Sequence, residues 1–261
     1  MEERKNKEIE YYNRQAGEYL KKISGEKTGA DFEGFTPLFL NSYQFCYEWL
    51  AKNVRGKKVL DYGCGNGIHS IFLAKTGAEK VTGIDLSEKS LEIAKSRAKA
   101  ARVEDKIEFL LMDCEGLKFQ GNSFDIIFDE GTFSSLDLKK ALPELARVLR
   151  PQGFLLGIET LGHNPFTNFK RKINKIMGKR TGWAESHIFQ MKDLKLAKNY
   201  FNKGESHFFH LISWVSFPLI NFPGGKFILK ILESLDKIFL NTPILKKYAF
   251  KIVFIFSEPK K

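Results

Sequence analysis

The chain has 261 residues, 43% of them apolar, and a net charge of +11; that apolar share fills a core and excludes a disordered chain. Its three cysteines, Cys46, Cys64 and Cys114, form no C-x-x-C pair and no histidine stands at ligand spacing, which argues against a disulfide framework or a zinc site and for a reducing, cytoplasmic setting. No run reaches the roughly 18 apolar residues of a spanning helix, and the charged start, residues 1–7, leads to no apolar core of a signal peptide.

In chain order, residues 8–22 predict a helix, residues 23–35 a glycine-rich loop, and residues 37–53 a second helix with Pro37 in its first turn. Next comes a short apolar run, Val59-Leu60-Asp61-Tyr62, that passes into Gly63-Cys64-Gly65-Asn66-Gly67. A buried strand followed by a turn without side chains lets a ligand lie on backbone N–H groups, and a helix starting near Ile68 points its positive end there. A dinucleotide loop reads G-x-G-x-x-G, whereas this one reads G-x-G-x-G with Asp61 just ahead of it. An acid at that place repels a pyrophosphate and suits a cationic amino-acid group, such as the one S-adenosylmethionine carries beside its sulfonium. Here the sequence resembles motif I of the class I S-adenosylmethionine-dependent methyltransferases.

The following segments keep the resemblance in register. Residues 80–85 read as a strand ending in Asp85, 18 residues after Gly67, where a carboxylate can hold two ribose hydroxyls, with Leu86 beside it. A third strand, 106–112, leads into Asp113 and Cys114, where the resemblance implies an acid on the adenine amino group. A fourth, 124–129, ends in Asp129, beneath the methyl donor in the family. Residues 145–154 resemble the helix, turn and fifth strand, so that the likeness covers about residues 57–160. Helices are expected at 68–76, 87–101 with Ser87 as N-cap, and 139–149. The segment Tyr12-Asn13-Arg14-Gln15-Ala16-Gly17-Glu18-Tyr19 resembles the family's opening Tyr-Asp-x-x-Ala-x-x-Tyr, with Asn13 in place of the aspartate. The resemblance implies that Tyr12 and Tyr19 fold over the cofactor. Taken alone, the same tyrosines also suit the packing of an amphipathic helix, and any one acid also suits a turn or a helix cap.

Beyond residue 160 the composition changes. Residues 161–261 hold 18 Lys and Arg against 6 Asp and Glu, while the first 160 residues are nearly neutral. Asn164-Pro165 reads as a helix start, after which Phe166, Phe169, Ile173, Ile176 and Met177 share one face and Lys170, Arg171, Lys172 and Lys175 crowd the rest, with Lys179 and Arg180 beyond. That pattern fits a helix at an anionic membrane surface or a solvated cap. His163, at the end of the fifth strand, is a candidate catalytic base, His187 a weaker one, and His69 reads as packing or surface. A sixth strand is expected within 206–222, followed by an apolar segment 211–220, a helical stripe within 226–240 through Ile228, Ile231, Leu232, Leu235, Ile238 and Phe239, and a last strand at 248–256. The family core needs only a hairpin between those two strands, whereas roughly thirty residues are inserted here.

The resemblance implies a Rossmann-like, seven-stranded, mostly parallel sheet with helices on both faces. Residues 1–55 are expected to cover the cofactor site, 56–160 to form the S-adenosylmethionine-binding core, and 161–261 to supply a basic, apolar cap and the last two strands. The expected function is methyl transfer from S-adenosyl-L-methionine to a small amphiphilic or lipid-like acceptor, an isoprenoid, lipid or lipid-linked sugar, with peripheral contact to an anionic membrane. The alternatives are an RNA methyltransferase, which lacks support because no RNA-binding module is recognisable, and an inactive cofactor-binding scaffold that activates a partner.

Overall fold

The structure, a computed structural model, describes residues 2–25, 40–165, 167–168 and 182–261, with the side chains of residues 2, 19–25, 184 and 185 left aside. Seven strands form one sheet in the order β3-β2-β1-β4-β5-β7-β6. They are β1 (Lys58–Tyr62), β2 (Lys80–Asp85), β3 (Ile107–Leu111), β4 (Phe124–Glu130), β5 (Leu149–Thr160), β6 (Phe201–Phe209) and β7 (Lys251–Pro259). β1 to β5 pair in parallel and β7 runs antiparallel between β5 and β6. The helices are α1 (Glu2–Gly25), α2 (Asn41–Asn53), α3 (Ile68–Lys75), α4 (Glu88–Ala100), α5 (Leu138–Val148), α6 (Gly182–Ser186), α7 (Met191–Ala197), α8 (Gly225–Phe239) and α9 (Pro243–Lys246).

The central strands are apolar on both faces because helices cover both. One core layer gathers Leu60, Ile127, Leu145, Leu155 and Phe254 under α5 and α7, and the other gathers Val59, Leu73, Phe128, Leu156 and Val253 under α2 and α3. Ser87 caps α4 by accepting from the amide of Ser90 at 3.1 Å, and Asp137 caps α5 by accepting from Lys139 N at 3.1 Å.

Several boundaries differ from the sequence expectation. α1 is longer than residues 8–22 because Arg4 and Lys5 pair with Asp113 and Glu115, which anchors its first turn. α2 begins at Asn41 rather than 37, and Pro37 lies outside the described residues. β6 begins at Phe201, ahead of the expected residue 206, because the polar run Asn202, Lys203, Gly204 and Glu205 belongs to the sheet edge, where one strand faces water. β7 starts at Lys251 rather than 248, because residues 243–249 turn through α9 first. The expected cationic helix falls largely on residues 166 and 169–181, outside the described residues.

Between β6 and β7 the inserted segment forms a 3-10 turn, Ser213–Leu219, packed against α8. Gly157 of β5 stands opposite Phe254 of β7, and a Cβ at Gly157 would lie 2.1 Å from that ring. Phe254 stacks in turn on Phe189 at 5.2 Å, so it has no free direction to yield. We predict that Gly157→Ala lowers stability by about 1–3 kcal/mol through overpacking, read as a lower urea midpoint at an unchanged m value; an unchanged midpoint would contradict the packing described.

Candidate cofactor and acceptor site

A cavity of about 240 Å3 lies at the carboxyl ends of β1, β2 and β4, under α1. Open parallel sheets bind their ligands at this end. Gly63 and Gly65 form its floor with φ of +71° and +50°. The two glycines serve different needs. A Cβ at Gly63 would strike Thr132 Oγ1 at 2.2 Å, whereas nothing stands within 4 Å of one at Gly65, which leaves that backbone open to the cavity. The loop is pinned from the side by Asp85, whose Oδ2 accepts from Gly65 N at 2.9 Å and whose Oδ1 accepts from Ser87 N at 2.7 Å.

Of the residues expected from sequence to bind cofactor, Tyr12, Gly63, Gly65, Asp85, Leu86, Asp113 and Cys114 line this cavity together. Tyr12 meets Ser135 Oγ at 3.1 Å, and Asn13, the departure from the family's aspartate, keeps an acceptor that takes the Ser87 hydroxyl at 2.7 Å. Four others are placed behind the lining. Asp61 is 2% exposed beneath the loop and accepts from Ser70 Oγ, because a carboxylate at the end of a central strand is covered by the helix that follows the glycines. Cys64 turns its sulfur toward Gly83, Gly67 turns its α-carbon toward Ala94, and Asp129 is fully buried. The side chain of Tyr19 lies outside the described residues. His163 is not among the lining residues; its Nε2 accepts from Met191 N at 3.2 Å, and burial pushes its pKa down.

Sequence reasoning missed a second group. Arg4, Lys5, Glu115, Glu130, Thr132 and Ser135 also line the cavity. Glu130, one residue past the expected Asp129, carries the most connections. Its Oε1 accepts from Tyr43 Oη at 2.5 Å and lies 3.4 Å from Lys251 Nζ, while His69 Nε2 stands 4.0 Å from Oε2. Burial alone would raise the pKa of Glu130, but Lys251 and His69 more than offset it and hold the carboxyl below its ordinary range. Burial likewise opposes the Lys251 ammonium, and Tyr43, Glu130 and Glu159 outweigh it. Alternation along Phe124–Glu130 was the available signal, since it sends Asp129 and Glu130 to opposite faces.

A polar pair sits deeper. Asp129 and Glu159 are both buried, Asp129 interacting with Thr132 and Glu159, and Glu159 accepting from Phe133 N at 2.8 Å. Burial raises both, Glu159 to about 7 and Asp129 well above its ordinary value, so the pair holds a proton at neutral pH.

The lining fits S-adenosyl-L-methionine. The open face of Gly65 admits a ligand onto backbone, and the acceptors of Asp85 and Asp113 suit hydroxyl and amino donors. Fold and site thus define a Rossmann-like domain with a cavity suited to a nucleoside cofactor.

Residues 59–153 match a family model described as a methyltransferase domain. A 27-O-demethylrifamycin SV methyltransferase from Amycolatopsis mediterranei is 40% identical over 101 residues, 38% of this chain and 37% of that protein. Among solved structures, geranyl diphosphate C-methyltransferase from Streptomyces coelicolor, in complex with S-adenosyl-L-homocysteine, matches 84% of this chain and 76% of its own at TM-score 0.54 and 16% identity. A phosphoethanolamine N-methyltransferase from Haemonchus contortus matches 90% of this chain and 61% of its own at TM-score 0.58 and 19% identity. The chain spans about a third to three fifths of the length of the curated relatives it matches. Residues 59–153 thus form a domain of the methyltransferase type, on a fold shared with S-adenosylmethionine-dependent methyltransferases.

The raised Glu159 carboxyl gives a signed pH dependence. Between about pH 4.5 and 7 the folded protein keeps a proton that the unfolded chain has released, so this stability is present at low pH and is lost as pH rises through about 7. Glu159→Gln, which retains an acceptor for Phe133 N, should make the fall between pH 5 and 8 shallower by on the order of 2 kcal/mol in urea titrations. Parallel curves for variant and wild type would place the proton elsewhere.

Proposed function

We propose that the chain transfers the methyl group of S-adenosyl-L-methionine to a small amphiphilic or lipid-like acceptor at a membrane surface. One observation carries the reading: the same cavity is lined by the cofactor-type loop and acids and by Glu130, Thr132 and Ser135. When bound, S-adenosyl-L-methionine would supply an electrophilic methyl group on its sulfonium, which the acceptor would take while the bonding pair stays on sulfur. The protein's part is to align and to desolvate. Gly63 and Gly65 offer backbone without side chains, Asp85 and Asp113 fix the nucleoside, and Tyr12 and Arg4 close the cavity from α1.

Glu130 is the group placed to receive the acceptor. It faces the cavity, and Tyr43 and Lys251 hold it in one orientation. A carboxylate kept ionised at the cavity wall could accept a hydrogen bond from an acceptor hydroxyl or amine and bear part of its departing proton. This role falls to Glu130 rather than His163, which stands outside the cavity lining. The lipid-like class is supported by the exposed apolar cap and by the names of small-molecule methyltransferases that share the fold, including one for geranyl diphosphate.

Calorimetry with S-adenosylhomocysteine tests the cofactor half: the chain should bind it, and Asp85→Ala should weaken binding by about 1.5–3 kcal/mol. Equal affinity in the variant would remove Asp85 from the site. The acceptor half is read by transfer of labelled methyl from S-adenosylmethionine to extracted membrane lipids, where Glu130→Gln should cut kcat/KM by about tenfold or more at unchanged S-adenosylhomocysteine affinity. A chain that binds S-adenosylhomocysteine and labels no lipid would instead favour the scaffold reading.

A further inference from the structure

The cap helix α8 is inverted relative to an ordinary surface helix. Facing the protein it carries Leu229, Glu233 and Asp236, exposed by 0, 2 and 3%, while Phe227 and Ile238 on its outer side are exposed by 71 and 65%. Ile231 and Leu235 lie on the same outer side by helical period, and Val215 and Phe222 of the adjoining turn are also exposed. The inward acids have a definite task. Glu233 Oε1 accepts from Asn41 N at 2.9 Å, the open start of α2, and Asp236 accepts from Ile212 N and Ser213 N at 2.8 and 3.2 Å, the start of the 3-10 turn. Satisfying those amides fixes which side of α8 is buried and leaves the greasy side out.

From this geometry we infer that the outer face of α8 and the adjoining 3-10 turn is a docking surface for an anionic lipid membrane, on which the apolar side chains enter the headgroup layer. Charge selects this occupant. Lys226, Lys230 and Lys237 share one flank of α8 by period, with Lys226 and Lys237 exposed and Lys230 paired to Glu233, and Lys247 is exposed beyond the helix. An apolar face bordered by cations is the pattern of a helix lying in the plane of an anionic interface. No helix among the described residues is long and apolar enough to cross a membrane, so the contact is peripheral. The docking face also adjoins the site: Glu233 holds Asn41, His210 meets Ser42 Oγ at 2.9 Å, and Tyr43 holds Glu130 at the cavity wall. For its functional meaning this inference rests on the lipid-like acceptor proposed above, but its test reads binding alone.

The full chain would be co-sedimented with vesicles of phosphatidylglycerol and phosphatidylcholine, and with phosphatidylcholine alone. We expect binding to the anionic vesicles, at least about tenfold weaker on neutral ones, and weakened about tenfold by Lys226→Gln with Lys237→Gln. Phe227→Ser with Ile231→Ser and Ile238→Ser should abolish it, while thermal unfolding and S-adenosylhomocysteine affinity stay as in wild type, since these side chains point outward. Equal sedimentation of wild type and the triple serine variant, or wild type left in the supernatant with both vesicles, would overturn the proposal. So would a lipid-free dimer in analytical ultracentrifugation that the serine variant turns into a monomer, because a second copy would then own the face. Vesicle binding without S-adenosylhomocysteine binding supports the docking surface and sinks the methyl-transfer reading, so the two fail separately.

Discussion

Two neighbouring strands end side by side, and the contact between the loops that leave them holds the site in place. Leading out of β1, Cys64 N donates to Ile84 O at 2.8 Å and Gly65 N to Asp85 Oδ2 at 2.9 Å, which extends the β1–β2 pairing past the last strand residue. The consequence is a glycine loop with no freedom to lift off the sheet. On its other side Thr132 Oγ1 donates to Tyr62 O at 3.0 Å and occupies the space a Gly63 side chain would need. Asp85 therefore does two things at once: its carboxylate positions the backbone that a ligand rests on, and it faces the cavity as an acceptor. Burial raises its pKa and the amides of Ser87 and Gly65 oppose that rise, so the same two bonds that fix the loop also favour the ionised form.

A second constraint is the concentration of buried and half-buried polar groups where β4, β5 and β7 meet. The half-buried Glu130 and the buried Lys251, Tyr43, Asp129 and Glu159 would be a poor way to stabilise a sheet, since desolvation cancels much of what pairing returns. Two arrangements limit the cost. Glu130 and Lys251 pair and share Tyr43, whereas Asp129 and Glu159 keep a proton. An ionised carboxyl, Glu130, thus stands beside a pair that shares a proton, and it is the ionised one that lines the cavity.

The sheet was legible because each of its central strands is an apolar run that stops at a glycine or an acid, and those stops fall in the same layer. Asp85 and Asp113 could be assigned for that reason. Asp61 and Asp129 obey the same rule in sequence yet sit behind the lining, since the rule locates a strand's end without saying which face its last side chain takes. Glu130 was hidden by that ambiguity, and His69 by its place in a helix whose partner, Tyr47 at 2.7 Å, comes from a distant segment. Arg4 and Lys5 were illegible for another cause. Their charges look like an ordinary solvated start, and only tertiary contact with Glu115 and Asp113 reveals them as part of the cavity wall.

Direction was also what the periodicity of α8 could not supply. The spacing of Phe227, Ile231, Leu235 and Ile238 states that the helix has an apolar side, and the usual inference is that this side is buried. Which side turns inward depends on what lies beneath. Here the floor consists of amide donors at the starts of α2 and the 3-10 turn, and an aliphatic face laid over them would strand several buried N–H groups at about 1–3 kcal/mol each. Two carboxylates remove that cost. His210, which burial pushes down to about 3 and so keeps neutral, completes the polar floor by bridging Ser42 and Ser213 at 2.9 Å each. A fold that buries acids and leaves phenylalanine and isoleucine outside has sacrificed hydrophobic burial at this one helix. That choice is intelligible when the apolar side has a solvent other than water.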